Sequence, residues 1–128
     1  MTIERHAVAG LSTRGSPYSV LVTDGSYAFM AGVVASDLEG GDKVHSDIAA
    51  ETRLVMEAIR QALAGISVGM DRIVRVDVHL TDLATMPTMN AVYRSFDWGM
   101  VPPVRTTIAA AAGIPGNSLI EIDMIAYI

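Results

Sequence analysis

The chain has no cysteine in 128 residues, which excludes disulfides, thiolate metal sites and a cysteine nucleophile. Long apolar runs are missing as well. Mean hydropathy is +0.38, high for a soluble protein, yet Asp, Glu, Lys or Arg interrupts every apolar stretch short of a membrane-spanning length. No basic segment followed by an apolar core opens the sequence, so no signal peptide is expected, and a cytoplasmic protein is. Basic residues are few: nine Lys and Arg against fourteen Asp and Glu give a net charge of −5. The nine are scattered rather than clustered, which argues against a nucleic-acid backbone as partner. His6, His45 and His79 form no H-x-x-x-H pair, so no metal is expected. No G-x-S-x-G surrounds any serine, and LEGGDK at 38–43 lacks the length and Lys-Ser/Thr ending of a phosphate loop. No cofactor is indicated.

What is present reads as one domain over residues 1–128, with 51% apolar residues to fill its core and no linker or repeat. Val20–Thr23 and Tyr27–Val34 flank Asp24-Gly25-Ser26 as a hairpin. Ser36–Val44 is polar and reads as a surface loop. Ser46 is positioned to cap a helix whose apolar residues Ile48, Val55, Ile59 and Leu63 share a face, with Gly65 at its end. Ile73–Leu80 alternates, with Val74, Val76, Val78 and Leu80 on one face and Arg75, Asp77 and His79 on the other. Thr85 and Pro87 open a second helix with Met89, Val92, Tyr93 and Phe96 inward. Val104–Ala110 and Leu119–Tyr127 close the chain as strands. The order β-β-α-β-α-β-β, with a further short N-terminal strand possible, describes an α+β fold: one sheet with both helices on one side. Period two in Tyr27–Val34 places Tyr27, Phe29, Ala31 and Val33 on one face and Ala28, Met30, Gly32 and Val34 on the other. Both faces are apolar, so the helix-free side of the sheet calls for a second copy.

Val101–Tyr127 carries the clearest chemistry. It reads as strand, turn and strand, with Arg105 and Glu121 on the two arms. Arg is a permanent cation whose planar fork matches a carboxylate, and Glu can orient a water or move a proton. Together they suit hydrolysis of a small anionic substrate. A structural Arg–Glu ion pair accounts for the same residues, and the turn at Pro115-Gly116-Asn117 does not fix whether the two share a face.

The pattern P-x-R-[TS]-x at 103–107 followed by I-E-I-x-x-I-A at 120–126 resembles the RidA/YjgF family of enamine/imine deaminases. So do SPYS at 16–19, Ala31-Gly32, DIAAETR at 47–53, RIVRVDVHLTDL at 72–83 and MNAVYRSF at 89–96, in the same order. The resemblance implies a chorismate-mutase-like fold, a mixed sheet with two helices on one face, and a homotrimer whose sheets wrap into a barrel with sites between subunits. It implies hydrolysis of 2-imino acids derived from enamines such as 2-aminoacrylate, giving a 2-oxo acid and ammonia. Arg105 would bind the substrate carboxylate and Glu121 would hold the water. Tyr18, Ala31, Gly32, Asn90 and Thr107 would contribute to substrate binding. Three positions depart from the family pattern: Ala31 for a frequent Ser, Val33 for Gln and Thr107 for Cys, which makes the expected pocket more apolar. A specialised catabolic deaminase acting on an aminomuconate-like compound, or a non-catalytic trimer that binds small carboxylates, would use the same framework. Neither a nucleic acid nor a membrane is an expected partner.

Overall fold

Asp24 organises the first hairpin: its carboxylate accepts the backbone N–H groups of Ser26 and Tyr27 at 2.9 and 2.8 Å. That turns the chain between β2 (Leu21–Thr23) and β3 (Tyr27–Val34). The computed structural model describes residues 2–128. It adds the short N-terminal strand β1 (Glu4–His6), then α1 (Ile48–Ala64), β4 (Ile73–Leu80), α2 (Met86–Arg94), β5 (Val104–Ala109) and β6 (Ile120–Tyr127). The six strands form one mixed sheet in the order β1-β2-β3-β6-β4-β5. Only β4 and β5 run parallel, because α2 supplies the crossover that parallel neighbours require.

This order corrects the reading of β5 and β6 as consecutive arms about one turn. β4 lies between them and pairs with both. The segment around Pro115-Gly116-Asn117 therefore carries the chain across β4 rather than closing a hairpin.

Alternation fixes which side of each strand meets the helices. Ile120, Ile122, Met124 and Ala126 of β6 are buried against Val55, Met56, Ile59 and Leu63 of α1, together with Val76, Val78 and Leu80 of β4. Asp47, rather than Ser46, caps α1 by accepting the N–H of Ala50 at 3.1 Å. Ser46 instead adopts a left-handed backbone, and its N–H donates to buried Glu51 at 3.2 Å. Glu51 also accepts the N–H of Leu119 at 2.9 Å, tying the first turn of α1 to the entry of β6.

Two irregularities break the simple period. A register shift between Met30 and Val33 inserts Ala31 and Gly32 as a bulge and buries Val33 in the core alongside Ala28 and Met30. Another between Ile73 and Arg75 turns Val74 out to solvent, with Ile73 buried in its stead. On the helix-free face, Tyr27, Phe29 and Tyr127, each about two-fifths exposed, form an aromatic patch around Ile125. The same face carries Asp77, His79, Glu121 and Asp123 further along. The aromatic half is the apolar open face that the sequence of β3 anticipates.

Candidate active site

Arg105 lies on the free edge strand β5. The parallel register places it beside Val76, and places Thr107 beside Val78. Laterally paired residues project to the same side of a sheet, so Arg105 and Thr107 face the helix layer. There the guanidinium carbon of Arg105 sits 4.8 Å above the ring of Tyr93 on α2. Tyr93 stacks on Trp98 with ring centroids 4.4 Å apart, and the indole N–H of Trp98 donates to the Tyr93 carbonyl at 2.8 Å. A cavity of about 470 Å³ opens beside this stack, lined among others by Asn90, Phe96, Trp98, Pro102 and Arg105.

Three buried polar atoms on this side lack a partner among the described residues: Asn90 Oδ1, the Tyr93 hydroxyl and Thr107 Oγ1. A buried polar atom left unpaired is costly, so such a group points to a missing partner. Burial pushes the Tyr93 phenol up to about 12, against the opposing pull of Arg105. It is a neutral O–H group across the physiological range.

Glu121 lies on the other side. It is paired with His79 of β4 and Val34 of β3 on the helix-free face, at the bulge in β3. Gly32 makes room for it: a methyl group there would lie 2.5 Å from Glu121 Oε1 and 2.8 Å from its carboxyl carbon. A second cavity, of about 580 Å³, is lined among others by Tyr18, Ala31, Gly32, Asp37 and Glu121. Burial raises the Tyr18 phenol above its usual value, with smaller contributions from Asp37 and Glu121. Arg14 lines the same cavity, ion-paired to Asp37 at 3.1 Å and donating to the Ser36 carbonyl.

The seven residues singled out in the sequence thus fall into two groups. Arg105, Asn90 and Thr107 belong to the helix side at the β5 edge; Glu121, Tyr18, Ala31 and Gly32 belong to the open side at the β3 bulge. Within one chain the structure does not bring Arg105 and Glu121 together, and the structural Arg–Glu pair is not formed. Val33 does not contribute to the apolar character of the site, since the bulge turns it into the core. Ala31 does line the Glu121 cavity. Tyr93 and Trp98 were missed as site residues: helical spacing identifies Tyr93 only as an inward position, and Trp98 stands out only as the single tryptophan. Among the described residues no three His, Cys, Asp or Glu gather as a metal site, and no helix is long and apolar enough to cross a membrane.

Comparison with known proteins agrees with this fold. Residues 12–128 match the family model described as Endoribonuclease L-PSP. A RutC family protein of Pyrococcus horikoshii is 33% identical over 111 residues, covering 87% of this chain and 86% of that protein. The mouse protein named 2-iminobutanoate/2-iminopropanoate deaminase is 26% identical over 110 residues, covering 86% of this chain and 80% of its own length. The crystal structure of the YjgF gene product of E. coli superimposes with a TM-score of 0.86 at 25% identity, over 97% of this chain and 98% of that one. The chain belongs to the Endoribonuclease L-PSP family, the group that includes the RidA- and YjgF-type proteins.

Proposed function

We propose that the protein is a hydrolytic deaminase of small 2-imino acids, working as a homotrimer with each site built from two neighbouring subunits. The observation that carries this reading is the division of the site. Arg105 and Glu121 occupy opposite faces of one sheet, each in its own cavity, so a site that uses both must draw them from different copies of the chain. A closed assembly in which the β5 edge of one subunit meets the β3 bulge of the next supplies this in every pair. The exposed apolar residues of the β5 edge, Val104 and Ile108, and those of the open face, Tyr27 and Phe29, are then covered.

In such a site Arg105 binds the substrate carboxylate through its planar fork, placing the adjacent C=N carbon opposite Glu121 of the neighbour. Glu121 takes a proton from water as the oxygen bonds to the carbon of the protonated imine, giving a carbinolamine. That proton, returned to nitrogen, makes the amino group able to leave. Glu121 then takes the proton of the new hydroxyl as the C=O forms and the C–N bond breaks, so that ammonia leaves and a 2-oxo acid remains. Tyr18, Ala31 and Gly32 wall the water side, while Asn90 and Thr107 offer polar atoms on the carboxylate side. The mouse relative's name denotes this class of reaction, which supports the assignment.

The test couples an amino-acid oxidase, which releases 2-imino acids from alanine or 2-aminobutanoate, to detection of ammonia. The protein is expected to accelerate ammonia release over the buffer rate, and Glu121→Gln to lower that acceleration by about a hundredfold, the scale of a general acid–base group. No acceleration for any 2-imino acid, with intact carboxylate binding, would leave a binding protein rather than an enzyme.

A further inference from the structure

Of the seven other arginines, Arg14, Arg60 and Arg75 are paired to Asp37, Glu57 and Asp77. Arg72 also lies over a ring, that of Tyr127 at 4.8 Å, but this ring is 43% exposed. Arg105 forms no ion pair or side-chain hydrogen bond among the described residues. What holds it is an aromatic face, the Tyr93 ring, 4.8 Å from its guanidinium carbon. That ring is itself fixed. It lies against Trp98 at 4.4 Å with the planes 28° apart, both rings are only 8% exposed, and the indole N–H is tied to the Tyr93 carbonyl.

The distinction matters chemically. A carboxylate partner would neutralise Arg105 and occupy one side of its fork. A ring face attracts the cation through its quadrupole but takes none of the in-plane N–H donors. We infer that Tyr93, backed by Trp98, is a positioning residue that orients Arg105 while leaving its charge and its hydrogen-bonding edge unpaired for an incoming carboxylate. The inference rests on the reading of Arg105 as the carboxylate clamp. It accounts for the aromatic stack beneath an edge strand, where an acid would hold an arginine equally well but spoil it as an anion receptor. In that role it is the ring of Tyr93 that acts on Arg105; the hydroxyl, unpaired among the described residues, takes no part in holding it.

The experiment measures pyruvate binding by calorimetry, so it does not depend on turnover. Tyr93→Phe keeps the ring and is expected to bind within about twofold of the wild type. Tyr93→Leu removes the π face and is expected to bind about threefold to thirtyfold more weakly, the range of a desolvated cation–π contact. A residue acting through Arg105 has nothing left to act on once Arg105 is gone. In the Arg105→Ala background, followed by NMR at millimolar pyruvate, Tyr93→Leu should therefore cause no further loss. The wild type gives a reading independent of any variant's folding: the Arg105 side-chain protons should show upfield ring-current shifts that persist when pyruvate binds.

The proposal is overturned if Tyr93→Leu binds as tightly as the wild type, or if it weakens binding equally in both backgrounds. Loss in Tyr93→Phe as large as in Tyr93→Leu, or disappearance of the ring-current shift on ligand binding, overturns it too. If Arg105→Ala binds pyruvate normally, the clamp itself is wrong and the inference goes with it. Normal clamp behaviour without imine hydrolysis removes only the catalytic reading.

Discussion

Gly32→Ala tests the link between the β3 bulge and Glu121 with one methyl group. The added carbon would meet Glu121 Oε1 at 2.5 Å, Cδ at 2.8 Å and Cγ at 2.9 Å. Ordinary contact needs about 3.4 Å or more, so the carboxylate must withdraw by roughly 1 Å. The obstructing atoms are the end of a half-buried, flexible side chain rather than backbone, and Gly32 does not require a left-handed conformation. The stability cost should therefore fall at the low end of overpacking, about 1 kcal/mol. The functional cost should be larger, because a displacement of about 1 Å in a group that positions a reactant can lower turnover on the order of a hundredfold. The coupled ammonia assay reads turnover, and pyruvate calorimetry reads the Arg105 side independently. We expect turnover to fall steeply with pyruvate affinity nearly unchanged. A Gly32→Ala protein with full turnover would show that the position of the Glu121 carboxylate does not matter to the reaction.

Two further outcomes follow from groups outside the chemistry. Glu51 is buried and accepts backbone N–H groups from Ser46 and Leu119; Glu51→Ala orphans both donors and should lower unfolding free energy by about 2–4 kcal/mol, read by denaturant melts, with Glu51→Gln milder. Asp123, on the open face, holds its proton more tightly than an ordinary carboxyl because of burial first and the neighbouring Asp77 charge second. A raised folded-state value contributes stability that is complete below the unfolded carboxyl value, about pH 4, and that is lost as pH rises through the Asp123 value. Thermal midpoints should therefore decline less between pH 4.5 and 7 in Asp123→Asn than in the wild type; an identical decline in the two proteins would show that Asp123 does not contribute.

The legible part of the fold was the part governed by local period. The apolar stripe Val55, Ile59 and Leu63 depends only on which residues face the core and stands as read, as does the strand over Leu119–Tyr127. Sheet order was not legible, because nothing local in β5 or β6 states that β4 comes between them: α2 brings β5 beside β4, and the segment around Pro115-Gly116-Asn117 then crosses β4 to β6. The consequence reached the site directly. Reading β5 and β6 as neighbours leaves room for an Arg105–Glu121 pair, whereas the observed order puts them on opposite faces. The bulge at Ala31–Gly32 was equally hidden, since an inserted residue changes no composition, yet it moves Val33 from the expected pocket into the core. Tyr93 illustrates a different limit: helical spacing shows that it points inward but not that a cation from another strand lies over its ring.

The central claim is that one working site takes Arg105 from one subunit and Glu121 from the next, and mixing two inactive proteins tests it most directly. Arg105→Ala and Glu121→Gln subunits, each inactive alone, are unfolded together in equal amounts and refolded. In a cyclic trimer every mixed assembly contains one interface where an intact Arg105 meets an intact Glu121. Random assortment then restores about one quarter of the wild-type sites. Ammonia release from 2-iminopropanoate in the mixture should therefore recover to about a quarter of the wild-type rate, while the separately refolded proteins stay inactive. A mixture that forms hybrid trimers, verified by native mass spectrometry, but remains as inactive as its parents would contradict a site shared between subunits.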